Sequence, residues 1–180
     1  MGTNHPARYV KGVTMKGADK FLVGIVAGVA LLVVAAFVVA LLRPEPTYRP
    51  EDTPEGVAHN YLLALGQEDY ARAYRYLSPA IAGYPPSAEA FAEDVHDNEW
   101  NFRLNDSAVT LEVVSARVTG NRAVVSVRER QFYEGGLFGS GEYTSTFEMT
   151  LTHDPAAGAW MIVESDTYWA WCWEDEKGCR

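Results

Sequence analysis

The pattern of apolar and polar positions changes character three times along the chain. From Phe21 to Leu42 every position is apolar, with no charge and no proline. From about Thr53 the apolar positions recur every three or four residues. Val57, Tyr61, Leu62 and Leu65 predict a helix that Thr53 caps, Pro54 opens and Gly66 stops. Tyr70, Ala73, Tyr74 and Leu77 predict a second short helix over about 68–77. Ser87 caps a third, which runs through about Val95 with Phe91 and Val95 four apart. From Ser107 the period falls to two. Val109, Leu111 and Val113 predict one strand, Val125 and Val127 a second across a turn at Gly120-Asn121, and Tyr143, Phe147, Met149 and Leu151 a third. A turn over Asp154 to Gly158 leads to a last, aromatic strand from about Ala159 through Trp173. Helices followed by antiparallel strands give an α+β domain: about three helices packed on one face of a curved, four-stranded antiparallel sheet.

The apolar run is long enough to cross a membrane. At ~1.5 Å per residue a helix over 21–42 reaches about 33 Å, against a hydrocarbon core of about 30 Å. A cleaved signal peptide has a shorter apolar region, and the flank RPEPTYRP lacks a small-x-small cleavage site, so the run is read as an uncleaved anchor. The chain then divides into a basic tail (1–20), a transmembrane helix (21–42), a Pro-rich linker (43–52) and a globular domain (53–180). Arg8, Lys11, Lys16 and Lys20 precede the anchor and only Arg43 and Arg49 follow it closely. That bias predicts a single-pass protein of the cell membrane with a cytoplasmic N-terminus and an extracytoplasmic domain. Gly24 and Gly28 form a small-xxx-small pair, which makes a homodimer through this helix one option.

Charge sharpens the division. The formal net charge is -9, yet residues 1–20 carry four basic residues and one acidic, a balance of +3, so the remainder stands at -12. The lipid bilayer is therefore one expected partner. An acidic domain without a basic cluster excludes nucleic acid as another.

The stretch TPEGVAHNYLLALGQEDYARAYRYLSP, Thr53 to Pro79, carries a Tyr-Leu-x-Ala-Leu run, a short break, Asp69-Tyr70, and Ala73-Tyr74 leading to Leu77-Ser78-Pro79. It resembles the opening helix pair of the nuclear-transport-factor-like superfamily, also called cystatin-like. Within it, the stretch looks most like the small bacterial membrane-anchored or lipid-anchored members. The resemblance, over about residues 53–173, implies a cone-shaped α+β domain, and it leaves function open because this fold hosts isomerases, dehydratases, cyclases and non-catalytic modules. Ketosteroid isomerases of the superfamily have an oxyanion-stabilising Tyr on the first helix, a position that Tyr61 matches. They also need a general-base Asp after the second helix. Here PAIAGYPPS, Pro79 to Ser87, offers no carboxylate. Abstraction of a proton beside a carbonyl requires both groups, so Tyr61 is read as a core tyrosine with its hydroxyl satisfied at a pocket edge. A substitute base would have to come from the strands, where Glu129, Glu164 and Asp166 share faces with apolar residues while Glu112 and Glu148 point away.

Other candidate chemistry is sparse. His5, His59, His96 and His153 are not spaced as a metal ligand set, no phosphate-binding loop occurs, and no cofactor is expected. Leu137 and Phe138, in GGLFGSG, form an apolar hairpin tip that could touch a partner or the membrane surface. Cys172 and Cys179 are expected to form a structural disulfide, since six residues between them exceed the spacing of a redox pair. Trp169, Trp171 and Trp173 would alternate onto one face of the last strand, so Tyr61, Trp169 and Trp171 are the candidate ligand-pocket residues. The expected function is a membrane-tethered, non-catalytic binding or assembly module that takes a protein partner or a small ligand. An isomerase- or dehydratase-type enzyme using the cone, and a structural domain of a larger membrane complex, are the alternatives.

Overall fold

The computed structural model describes residues 18–42, 46–103, 109–135, 139–155 and 158–179. Arg8, Lys11 and Lys16 of the tail, His5, Arg43 and the tip residues Leu137 and Phe138 lie outside them. The chain forms two compact units, Met1–Glu45 and Pro46–Arg180.

The first unit contains helix α1, Ala18–Leu41. It is long and apolar enough to cross a membrane over Lys20–Val39, and none of that stretch is buried within the protein. A core helix of a soluble domain would be covered, so the exposed surface calls for an apolar surrounding. At Gly24 and Gly28 an added Cβ would meet open space.

The second unit begins with the Pro-rich segment, which from Thr47 lies strapped along helix α2, Pro54–Gly66. The buried side chain of Asn60 pairs with the Arg49 backbone like a neighbouring strand: Arg49 N–H donates to Oδ1 at 2.7 Å and Nδ2 donates to the Arg49 carbonyl at 2.9 Å. His59 Nε2 lies 3.1 Å from the Thr47 carbonyl. The Arg72 guanidinium sits 3.3 Å from the Tyr48 ring centroid and the same distance from Glu51. The α2 cap is the expected one, with Thr53 Oγ1 accepting from Gly56 N–H at 3.1 Å. An added Cβ on Gly56 would collide with the Pro50 carbonyl, so only glycine lets the strap lie this close.

Helices α3 (Tyr70–Tyr74) and α4 (Ala88–Asp97) follow, capped by Asp69 and Ser87. A fifth helix, α5 (Glu99–Phe102), continues past Asn98. The four strands are β1 (Val109–Thr119), β2 (Arg122–Gly135), β3 (Gly139–Asp154) and β4 (Ala159–Ser165), antiparallel and paired in chain order. On one sheet face Ala123, Val125, Val127, Phe147, Met149, Leu151 and Ile162 bury against Val57, Tyr61, Leu62 and Leu65 of α2.

Three expectations are corrected. The sheet is not a strongly curled cone: among the described residues it is an open sheet with β1 and β4 at its edges and its register broken at Val113/Ser115 and Thr150/Leu151, and four α-helices rather than about three are described in this unit. Strong curvature needs repeated bulges, and two do not supply it. The last strand also ends at Ser165, not near Trp173. Beyond it Tyr168 takes a left-handed backbone, φ 58°, and Trp171–Glu174 form a 3₁₀ turn. The three tryptophans therefore do not share a strand face.

Candidate functional site

The break at Thr150/Leu151 builds the site. It pairs Leu151 with Ile162 but Thr150 with Glu164, so Val163 is the extra residue on β4. Strand alternation is thereby inverted: Ser165 turns inward while Glu164 stays exposed. Of the carboxylates that could reach the interior, only Glu129 does so. It is 3% exposed, and the Arg103 guanidinium lies 3.1 Å away. Its charge is balanced in place, as a buried charge requires. Glu112 lies on the opposite face, beside Arg128 at 3.1 Å.

After Ser165 the chain is turned by a set of specific bonds. Ser165 Oγ donates to the Thr167 carbonyl at 2.6 Å, and Glu148 N–H donates to Asp166 Oδ2 at 2.9 Å. An aromatic residue is seldom left-handed, because its Cβ crowds the backbone. Tyr168 is held there from two sides. Its N–H donates to the Asn101 carbonyl at 3.2 Å, and its own carbonyl accepts from the Tyr61 hydroxyl at 2.7 Å. Asn101 Nδ2 also donates to the Trp169 carbonyl. Tyr61 is fully buried, which pushes its phenol well above the usual range, so the hydroxyl keeps its proton and donates a hydrogen bond to the Tyr168 carbonyl.

The turn gives the three indoles different surroundings. Trp173 becomes the hub of the core aromatics, stacked on Phe91 with centroids 5.4 Å apart and edge-on to Phe102 and Trp169 at 5.9 and 4.9 Å. Its Nε1–H donates to Asp94 at 2.8 Å. Burial is the main reason the Asp94 carboxyl titrates above the usual carboxylate range; the Trp173 bond opposes the shift, and Asp97 and Glu93 add to it. Trp171 faces outward, 61% exposed.

Between the end of β4 and the 3₁₀ turn lies a cleft of about 140 Å³, walled by Trp169 and Trp171, floored by Asn101 and Ser165, and rimmed by Glu164, Asp166 and Glu174. Two of the three pocket residues expected from the sequence, Trp169 and Trp171, meet here; Tyr61 does not line the cleft but holds the turn behind it. A second cavity of about 200 Å³ lies between Tyr84, Pro85, Asp94 and the end of the chain. One wall of that cavity is the loop closed by the Cys172–Cys179 disulfide, whose Cα atoms are 4.8 Å apart. Among the described residues no group of three or more His, Cys, Asp or Glu could hold a metal. The rim carboxylates were legible only as residues. Their convergence depends on a bulge and a left-handed tyrosine that no local pattern announces.

No protein-family model and no curated protein matches the chain. Among solved structures it is similar to a SEC-C motif containing protein from Rhodopseudomonas palustris, 18% identical over 66% of this chain and 81% of that one, TM-score 0.46. It is also similar to an NTF2-like protein with a cystatin-like fold from Novosphingobium aromaticivorans, at 17% identity, 73% and 84% coverage and TM-score 0.44. An NTF-2 like protein of unknown function from Shewanella oneidensis is 11% identical over 61% of this chain and 90% of that one, TM-score 0.38. None of the three is described as membrane-anchored. At such identities and scores the likeness transfers no activity, ligand or partner.

Proposed function

We propose that this protein is a membrane-tethered, non-catalytic binding module whose acidic domain is held outside the cytoplasm and takes its ligand at the cleft of Trp169 and Trp171. The observation that carries the reading is the engagement of Tyr61. Its hydroxyl is buried on the Tyr168 carbonyl, so the group that would stabilise an oxyanion serves instead to hold a turn. The buried carboxylate that would serve as base, Glu129, is paired with Arg103. The site of contact with solvent is instead walled by indoles, which suits recognition. An N-terminus in the cytoplasm follows from the basic residues before the anchor, and a Cys172–Cys179 disulfide agrees with an oxidising compartment for the domain.

The test is a search for turnover. The purified chain, incubated with a panel of simple ketones in heavy water, should show no exchange of the protons next to the carbonyl above buffer, read by proton NMR. Exchange that the protein accelerates and Tyr61→Phe abolishes would overturn the reading.

A further inference from the structure

We propose that the cleft binds a basic side-chain group, a guanidinium or ammonium head on an apolar stem, of the kind a lysine or arginine of a partner protein presents. This deepens the binding-module reading and rests on it. Four observations bear on the ligand. Two indole rings line one small cavity, and Trp171 is exposed, so an aromatic face is open to a cation. The rim of the same cavity is acidic through Glu164, Asp166 and Glu174. The domain as a whole is strongly acidic, which draws cations towards it from a distance. Finally Trp169, 2% exposed, lines the cleft and has a buried indole N–H without a hydrogen-bond partner among the described residues, an unmet donor in the wall of the same cavity.

Internal partners leave enough of the rim free. Arg122 approaches Glu164 at 3.6 Å, with both groups well exposed, and a contact of that kind is exchanged readily for a better-placed cation. Asp166 uses Oδ2 for the Glu148 N–H and keeps its second oxygen. A volume near 140 Å³ admits one alkyl stem with its head and no large ring system, so the cleft reads one side chain at a time.

The full chain, held in discs of zwitterionic lipid so that the bilayer itself attracts no cations, is titrated calorimetrically with a short capped peptide containing one arginine. Parallel titrations use the same peptide with citrulline, which keeps the shape and removes the charge, and free agmatine. Binding of the arginine peptide, weakened by added salt and at least several-fold tighter than the citrulline peptide, is the expected result. Trp171→Ala should weaken it roughly 3- to 30-fold, the range of one cation–aromatic contact. Glu174→Gln should weaken it as well, and Trp100→Ala, an exposed tryptophan that does not line the cleft, should leave it unchanged. Agmatine binding as tightly as the peptide would identify a free amine as the source of the cation, whereas preference for the peptide identifies a protein segment. Absence of binding, equal binding of the citrulline peptide, or indifference to both Trp171→Ala and Glu174→Gln overturns the proposal. None of those results produces ketone exchange, so failure here is distinct from failure of the non-catalytic reading.

Discussion

Tyr61 and His59 stand on one helix and make opposite predictions. Tyr61→Phe removes a single buried hydrogen bond, so the domain should lose about 1–2 kcal/mol of stability in a denaturant titration. The loss should fall on the turn behind the cleft, and amide exchange at Tyr168 and Trp169 should rise more than in the strands. His59 responds to pH. Burial holds its imidazole below the ordinary 6.5; contact with the Thr47 carbonyl works against that shift, and nearby Arg49 adds to it. The unfolded chain therefore takes up a proton at a pH where the folded one does not. Its contribution is complete above the unfolded pKa and is lost as pH falls through the folded one. Acidifying from pH 7 to 5 should lower the denaturation midpoint of the wild type more than that of His59→Gln, measured side by side.

The elements differ in how openly the chain declares them. Caps at Thr53 and Ser87 and the period-two runs of β1 to β3 could be read directly, because each is decided by residues no more than three apart in sequence. The end of β4 could not: Ala159 to Trp173 looks like one long aromatic strand until the Thr150/Leu151 bulge inverts its faces and Asn101 and Tyr61 hold Tyr168 in a left-handed turn. Those partners lie far away along the chain, so the cleft itself was hidden while two of its walls, Trp169 and Trp171, could be nominated. The curled cone likewise overstated what two register breaks can bend. The C-terminal disulfide was legible from spacing and charge together. Replacing Cys172 and Cys179 by serine should cost about 2–3 kcal/mol, the scale of a short closed loop, and loosen the wall beside Gly83. Intact mass of the exported chain should fall two hydrogens short of the reduced value, and two alkylatable thiols in the native protein would contradict the bond.

For the whole molecule, orientation is the prediction with the plainest readout. Protease added to spheroplasts should remove the domain beyond Arg43 and spare the basic tail; protection of the entire chain would reverse the assignment. The strap along α2 has a mechanical meaning as well. Any pull transmitted through the anchor enters the domain at Thr47, and the load meets the His59 contact, the Tyr48–Arg72 stack and the two Asn60 bonds before it can reach the cap of α2. Bonds loaded one after another at the end of a chain peel at lower force than a sheet sheared as a unit. Peeling from Thr47 to Asp52 would release roughly 20 Å of chain, at about 3.5 Å per extended residue, with the core and the cleft intact. Under such a load the strap would act as a sacrificial link, a store of slack released before the fold is strained.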